Sequence, residues 1–156
     1  MQFSLVAGLL LATAGHTQTA DAQGAPAAVK KGSRYPSFNI GYEGKALNSD
    51  NLRGKIIWIN FWFEACRPCI AEMPAIQEIV EKYAADPDFV FLSMTWENKA
   101  AINRVKVKLP MSYPVVSISD EEAERLNGGL GYPTNIIIDR EGKVIFVAVG
   151  GKTDPV

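Results

Sequence analysis

The chain has 156 residues, is 47% hydrophobic and 21% charged, and has a mean hydropathy of +0.01, enough apolar content for the core of one domain. With 16 Lys+Arg against 17 Asp+Glu and a net charge of -1, it carries no basic excess for nucleic acid, so a nucleic-acid partner is not expected. Its single histidine, His16, lies in what reads as a removable leader, so the mature chain lacks Ser-His and Cys-His pairs and the commonest transition-metal ligand.

Residues 3–14 form a short apolar block, too short and too small in side chain to span a bilayer comfortably. Ala20-Asp21-Ala22 then fits the A-x-A cleavage rule, so residues 1–22 read as a signal peptide cut after Ala22. No Lys or Arg precedes the block, which departs from the usual leader. A buried N-terminal helix is the rival reading, and Gly8, Gly15 and the Thr/Gln-rich tail argue against it. Cleavage implies an exported, formally neutral protein, with the periplasm as the expected location, where a disulfide is permissible. Residues 23–34 read as a flexible lead-in, and residues 35–156 as the folded domain.

Along that domain, residues 38–42 and 45–47 flank Glu43-Gly44 and predict a short hairpin. Residues 56–62 (IIWINFW) are apolar almost throughout, as in a central strand buried on both faces. From Cys66 to Ala85 the period becomes helical, with Ile70, Met73, Ile76, Ile79, Val80 and Tyr83 on one stripe and Pro74 expected to kink it. Residues 88–95 predict a second buried strand, 99–109 a helix stopped by Pro110, and 113–118 a short strand. Ser119-Asp120 caps a helix through Leu126, ended by Asn127-Gly128-Gly129. Residues 135–138 and 143–149 form two strands around the Asp139–Gly142 turn. The order predicts an α/β fold with a mixed sheet.

Cys66-Arg67-Pro68-Cys69 follows a buried strand and opens a helix. This spacing brings both sulfurs to bonding distance and lets the first face solvent. The helix N-terminus stabilises a thiolate at Cys66, Arg67 adds a positive charge, and Pro68 stiffens the ring. Cys66 is therefore the expected nucleophile and Cys69 the resolving thiol. Half of a zinc site is a rival reading, but there is no second C-x-x-C and no histidine in the mature chain, so no metal is expected. An inert structural disulfide is another, although so small a loop gains little from closure.

The segment from Asn60 to Cys69 (NFWFEACRPC) resembles the active-site strand and motif of the thioredoxin superfamily. The continuation Ile70-Ala71-Glu72-Met73-Pro74 narrows the likeness to the exported TlpA/ResA-like thiol-disulfide oxidoreductases. Gly131-Tyr132-Pro133-Thr134, before a strand and an Asp-x-x-Gly hairpin, is similar to that family's cis-proline loop. The likeness runs from about Tyr35 to Gly150. It implies a thioredoxin-like fold with an N-terminal β-hairpin extension and a C-terminal helix that this sequence lacks room for. It also implies a cis Pro133 facing the disulfide, with Tyr132 offering backbone groups to an extended substrate. Trp62, Arg67, Pro68, Tyr132 and Pro133 are then the expected substrate-contacting residues, with Trp62 also expected to pack under the disulfide and an ordinary core Trp as its bland alternative. Glu72, one helical turn after Cys69, would take the proton from Cys69 as it attacks; a solvent-facing helix glutamate is the bland alternative.

Departures from the family pattern also carry information. Asn60 stands where thioredoxin has a buried Asp, which leaves Glu72 as the near proton acceptor. Ala65 replaces the usual Trp before the first Cys, and Glu64 reads first as a solvated loop acid and second as a substrate-orienting group. The resemblance implies a reductant of protein disulfides, without bound cofactor, recharged by an upstream electron donor for which a membrane protein is one candidate. Cytochrome c maturation is a familiar task of similar proteins. An oxidase or isomerase uses the same chemistry in reverse, and Arg67 and Glu72 push the balance opposite ways. A thiol peroxidase is disfavoured because Phe63 fills the slot of its usual Thr. A non-catalytic binding module using the groove around Tyr132 and Trp62 is the remaining alternative.

Overall fold

The computed structural model describes residues 28–150. The expected leader, its cleavage site after Ala22, and the segment after Gly150 lie outside the described residues. Two short antiparallel strands, β1 (Asn39–Tyr42) and β2 (Lys45–Asn48), form the expected hairpin. The apolar run becomes β3 (Ile56–Phe61), followed by α1 (Arg67–Lys82), β4 (Phe89–Thr95), α2 (Lys99–Lys108) and β5 (Val115–Ser117). Helix α3 (Asp120–Asn127) and strands β6 (Thr134–Ile138) and β7 (Val144–Val149) complete the described chain.

The main sheet has the order β5-β4-β3-β6-β7. Strands β3, β4 and β5 are parallel, whereas β6 runs antiparallel to β3 and β7 antiparallel to β6. The sheet is thus mixed, as expected, and β3 is its centre. Its alternating side chains build two cores. Ile57, Ile59 and Phe61 pack with Leu92, Met94, Ile136 and Ile138 under α3 and the hairpin. Trp58 and Trp62 pack on the opposite side with Phe91 and with Met73, Ile76, Ile102 and Val105 of α1 and α2. Two crossovers leading outward in the same direction and with the same hand put α1 and α2 on one face.

Local chemistry sets the ends of these elements. Asn98 and Ser119 cap α2 and α3 by accepting the Ala101 and Glu122 N–H groups at 3.0 and 3.1 Å. Gly128 ends α3 at φ 75°, and a Cβ there would come within 2.8 Å of Val29, so both conformation and space call for glycine. Helix α1 runs on through Pro74 rather than stopping at it.

The expected lead-in is corrected in its last part. Val29 is buried in the core beside α3, Gly32 N–H donates to the Val144 carbonyl at 2.8 Å, and Arg34 bridges Lys143. The residues from Val29 onward are docked because Val29 supplies apolar area that α3 alone leaves open. On the α1 face, none of the described helices covers the β6–β7 half of the sheet. A groove of about 720 Å³ lies there between Ile79 and Tyr83 of α1 and Phe146 and Ala148 of β7, with Trp58, Glu72 and Asn135 in its wall.

Candidate active site

Strand β6 lies antiparallel to β3 with Thr134 opposite Phe61. The chain leaving β3 and the chain entering β6 therefore meet at one end of the sheet. That register brings the Cys66–Cys69 turn beside Tyr132-Pro133, whose peptide bond is cis. Pro133 is buried and Tyr132 half-buried. Among the described residues, Tyr132 makes no backbone hydrogen bond through its N–H or carbonyl.

Cys66 and Cys69 are joined in a disulfide, their Cα atoms 5.2 Å apart. Cys66 is the N-cap of α1, and its sulfur accepts the Cys69 N–H at 3.3 Å. The same donors that orient the sulfur in the disulfide favour a thiolate at Cys66 once the bond is reduced. Cys66 retains 5% of its surface and Cys69 none. The expected solvent-facing Cys66 is thus almost covered, in a cluster against which Phe63 and Tyr132 pack, yet it is the only one of the pair that solvent reaches.

Glu72 sits one turn beyond Cys69 and points into the seam between β3 and β6. Its Oε1 accepts from Asn60 Nδ2 at 2.7 Å, and both carboxylate oxygens accept from Asn135 Nδ2 at 3.2 Å. Burial raises its pKa above the ordinary carboxylate range, and the Asn135 and Asn60 hydrogen bonds hold it back in part. It is half-buried rather than solvent-facing.

Trp62, expected to contact substrate, is fully buried, and its indole N–H donates to Ser93 Oγ at 2.7 Å. It supports the disulfide from beneath and offers no surface to a partner, which corrects that expectation. Arg67 and Pro68 are exposed at the start of α1, open to a docking chain. Glu64 is held rather than freely solvated: Arg104 of α2 grips both its oxygens at 2.6 and 2.7 Å, and its own N–H donates to Glu97 Oε1. The Arg104 hydrogen bond lowers the Glu64 pKa.

Several residues at the site escaped the sequence reading. Trp96 stacks on Phe63 at 5.2 Å, and Tyr132 meets both rings edge-on at 5.6 and 4.8 Å, so three aromatic side chains line the rim. Asn135 is the register partner of Asn60. The available signal was an amide inside the apolar run of β3 and another opening that of β6, since buried amides require partners. Nothing in the sequence predicted that the two partners would be each other. Among the described residues, no group of three or more His, Cys, Asp or Glu side chains is placed to hold a metal ion.

The sequence from residue 30 to 155 matches the Redoxin family. The thiol-disulfide oxidoreductase ResA of Geobacillus thermodenitrificans (strain NG80-2) is 32% identical over 148 residues, covering 93% of this chain and 84% of the relative. ResA of Bacillus subtilis (strain 168) is 27% identical over 127 residues, covering 81% and 71%. A thiol:disulfide interchange protein of the thioredoxin family from Chlorobium tepidum TLS superposes with a TM-score of 0.64 at 28% identity, covering 80% of this chain and 90% of that one. The chain belongs to the Redoxin family and is a ResA-like thiol-disulfide oxidoreductase of the thioredoxin superfamily.

Proposed function

We propose that this redoxin is an exported reductant of protein disulfides, in which Cys66 is the entry thiol, Cys69 resolves, and Glu72 accepts the proton. The Cys66 thiolate attacks one sulfur of a substrate disulfide, forming a mixed disulfide and expelling the other substrate sulfur as a thiolate. Cys69 gives its proton to the Glu72 carboxylate, and the Cys69 thiolate attacks the Cys66 sulfur. The Cys66–Cys69 bond forms, the mixed disulfide breaks, and the second substrate thiolate leaves and is protonated. Two electrons have passed to the substrate. An upstream dithiol donor then restores the reduced pair. The free backbone of Tyr132 and the exposed Arg67-Pro68 pair suit an extended peptide laid across the turn. Haem-site cysteines awaiting cytochrome c assembly are the client class we favour, by likeness to similar proteins.

The direction of transfer rests on one observation, that Glu72 is half-buried while Arg67 is exposed. A carboxylate in a low-dielectric seam disfavours a neighbouring thiolate more strongly than a screened surface guanidinium favours one. Disfavouring the thiolates destabilises the reduced form and makes the pair a better reductant, against the helix-terminal stabilisation of Cys66. Equilibration of the disulfide against glutathione or dithiothreitol tests this. The expected reduction potential is near or below about -240 mV, and a value above about -150 mV sinks the reductant reading in favour of an oxidase.

A further inference from the structure

We propose that Asn135 is a positioning residue that sets the proton affinity of Glu72, and that the indole of Trp58 locks it in the required orientation. The inference deepens the reading of Glu72 given above and rests on it for its catalytic meaning. Asn135 Oδ1 accepts from Trp58 Nε1 at 3.0 Å and from Asn60 Nδ2 at 3.0 Å. An indole N–H can only donate, so the oxygen of Asn135 must face Trp58. Asn135 Nδ2 is thereby turned onto Glu72. Asn60, facing an oxygen on Asn135, must present its own Nδ2, whose second hydrogen goes to Glu72 Oε1 at 2.7 Å. A single donor on β3 thus fixes both amides and makes every group they present to Glu72 a donor.

Such a cradle distinguishes the two forms of the carboxyl group. The carboxylate satisfies it fully. A protonated Glu72 must place its hydrogen away from the donors, and Oε2 is the oxygen free to carry it, having one contact at 3.2 Å against two on Oε1. The Glu72 side chain lines the groove between α1 and β7, which gives its proton a route to solvent. The other groups around Glu72 do not replace the cradle. Cys69 lies one turn back on α1, Tyr113 is kept neutral by burial and by the Glu72 charge itself, and β7 contributes Val147, Ala148 and Val149 to the groove wall. Among the described residues, no Lys or Arg forms an ion pair with Glu72.

The test is a carboxyl carbon NMR titration of the full chain labelled at glutamate, with the Glu72 signal identified by its loss in Glu72→Gln. In Asn135→Leu the Glu72 midpoint should rise by about one pH unit, the effect of removing a donor from a buried carboxylate. Trp58→Phe, which deletes the N–H and keeps an aromatic ring, should move it less in the same direction and carries the test if the leucine variant does not fold. An unchanged midpoint in a folded variant overturns the proposal. The pH profile of the resolving step, read by quenching a preformed mixed disulfide on Cys66, separates the two claims. If the carboxyl midpoint moves and the acid limb of that profile follows, both stand. A limb that stays in place while the midpoint moves leaves the cradle standing and overturns Glu72 as the proton acceptor.

Discussion

Glu64 and Glu72 flank the same disulfide, two residues before Cys66 and three after Cys69, and their environments drive them apart. At the front, Glu64 meets a guanidinium: Arg104 grips both oxygens and holds the pKa below the ordinary value. At the back, Glu72 meets neutral amides in a half-buried seam, and burial lifts its pKa. One carboxylate is favoured in its charged form by the ion pair that ties the active-site loop to α2. The other is poised to change protonation. Proximity to the cysteines does not decide which acid handles protons; the charge and burial of its partners do.

The largest expected break in that contrast comes from Glu72→Gln. The resolving step should slow by roughly a hundredfold, the usual worth of a positioned proton acceptor, and its acid limb should vanish. Stopped-flow measurement of mixed-disulfide resolution across pH checks both, and Glu64→Gln in the same assay should stay within about twofold of the parent.

A medium effect is expected in the pH dependence of folding, where the two acids act with opposite sign. The folded pKa of Glu72 is raised, so its contribution is full below the unfolded glutamate value, about 4.3, and is lost as pH rises through the folded titration. The folded pKa of Glu64 is lowered, so its contribution is present above that value and is lost as pH falls. Urea midpoints taken at a series of pH values should therefore decline less towards neutral pH in Glu72→Gln than in the parent. Equal slopes in the two proteins would contradict the raised Glu72 pKa.

The smallest effect is expected from Arg104→Met. The ion pair it removes is largely exposed and open to salt screening, so the unfolding midpoint should barely move. The Glu64 titration should nonetheless return towards the ordinary glutamate value, and 1 M salt should produce much of the same return in the parent. Glu72, whose partners are uncharged, should respond little to salt. A strong salt response at Glu72 would erase the distinction between the two acids.

Much of the fold was legible because its elements carry strong local signals. The nearly continuous apolar run of β3, the Ser119 cap and Gly128 stop of α3, and the Asp139–Gly142 turn each stand where local chemistry puts them. Ends were less legible. The strand expected over 113–118 is paired only over Val115–Ser117: β4 ends at Thr95, opposite Ser117, and Pro114 has no N–H with which to carry the ladder the other way. Val29 read as part of a lead-in because a lone valine among Ala, Gly and Lys has no period, and its burial depends on the space beside Gly128. The packing of Trp62 beneath the motif was legible, whereas its part as a substrate contact was not, because the pleat turns it inward onto Ser93.

The sequence by itself determined the chemistry: two cysteines at the spacing of one helical turn, at the start of a helix, after a buried strand. Those features are local, and backbone geometry turns them directly into a disulfide with one reachable member. Tertiary structure alone decided what surrounds that disulfide. Strand pairing set Asn60 against Asn135 across 75 residues of chain and aimed both at Glu72. The packing of α2 brought Arg104 to Glu64 across 40 residues. Proton affinity follows from the sum of burial and neighbouring charge, and only the closed chain brings those neighbours together.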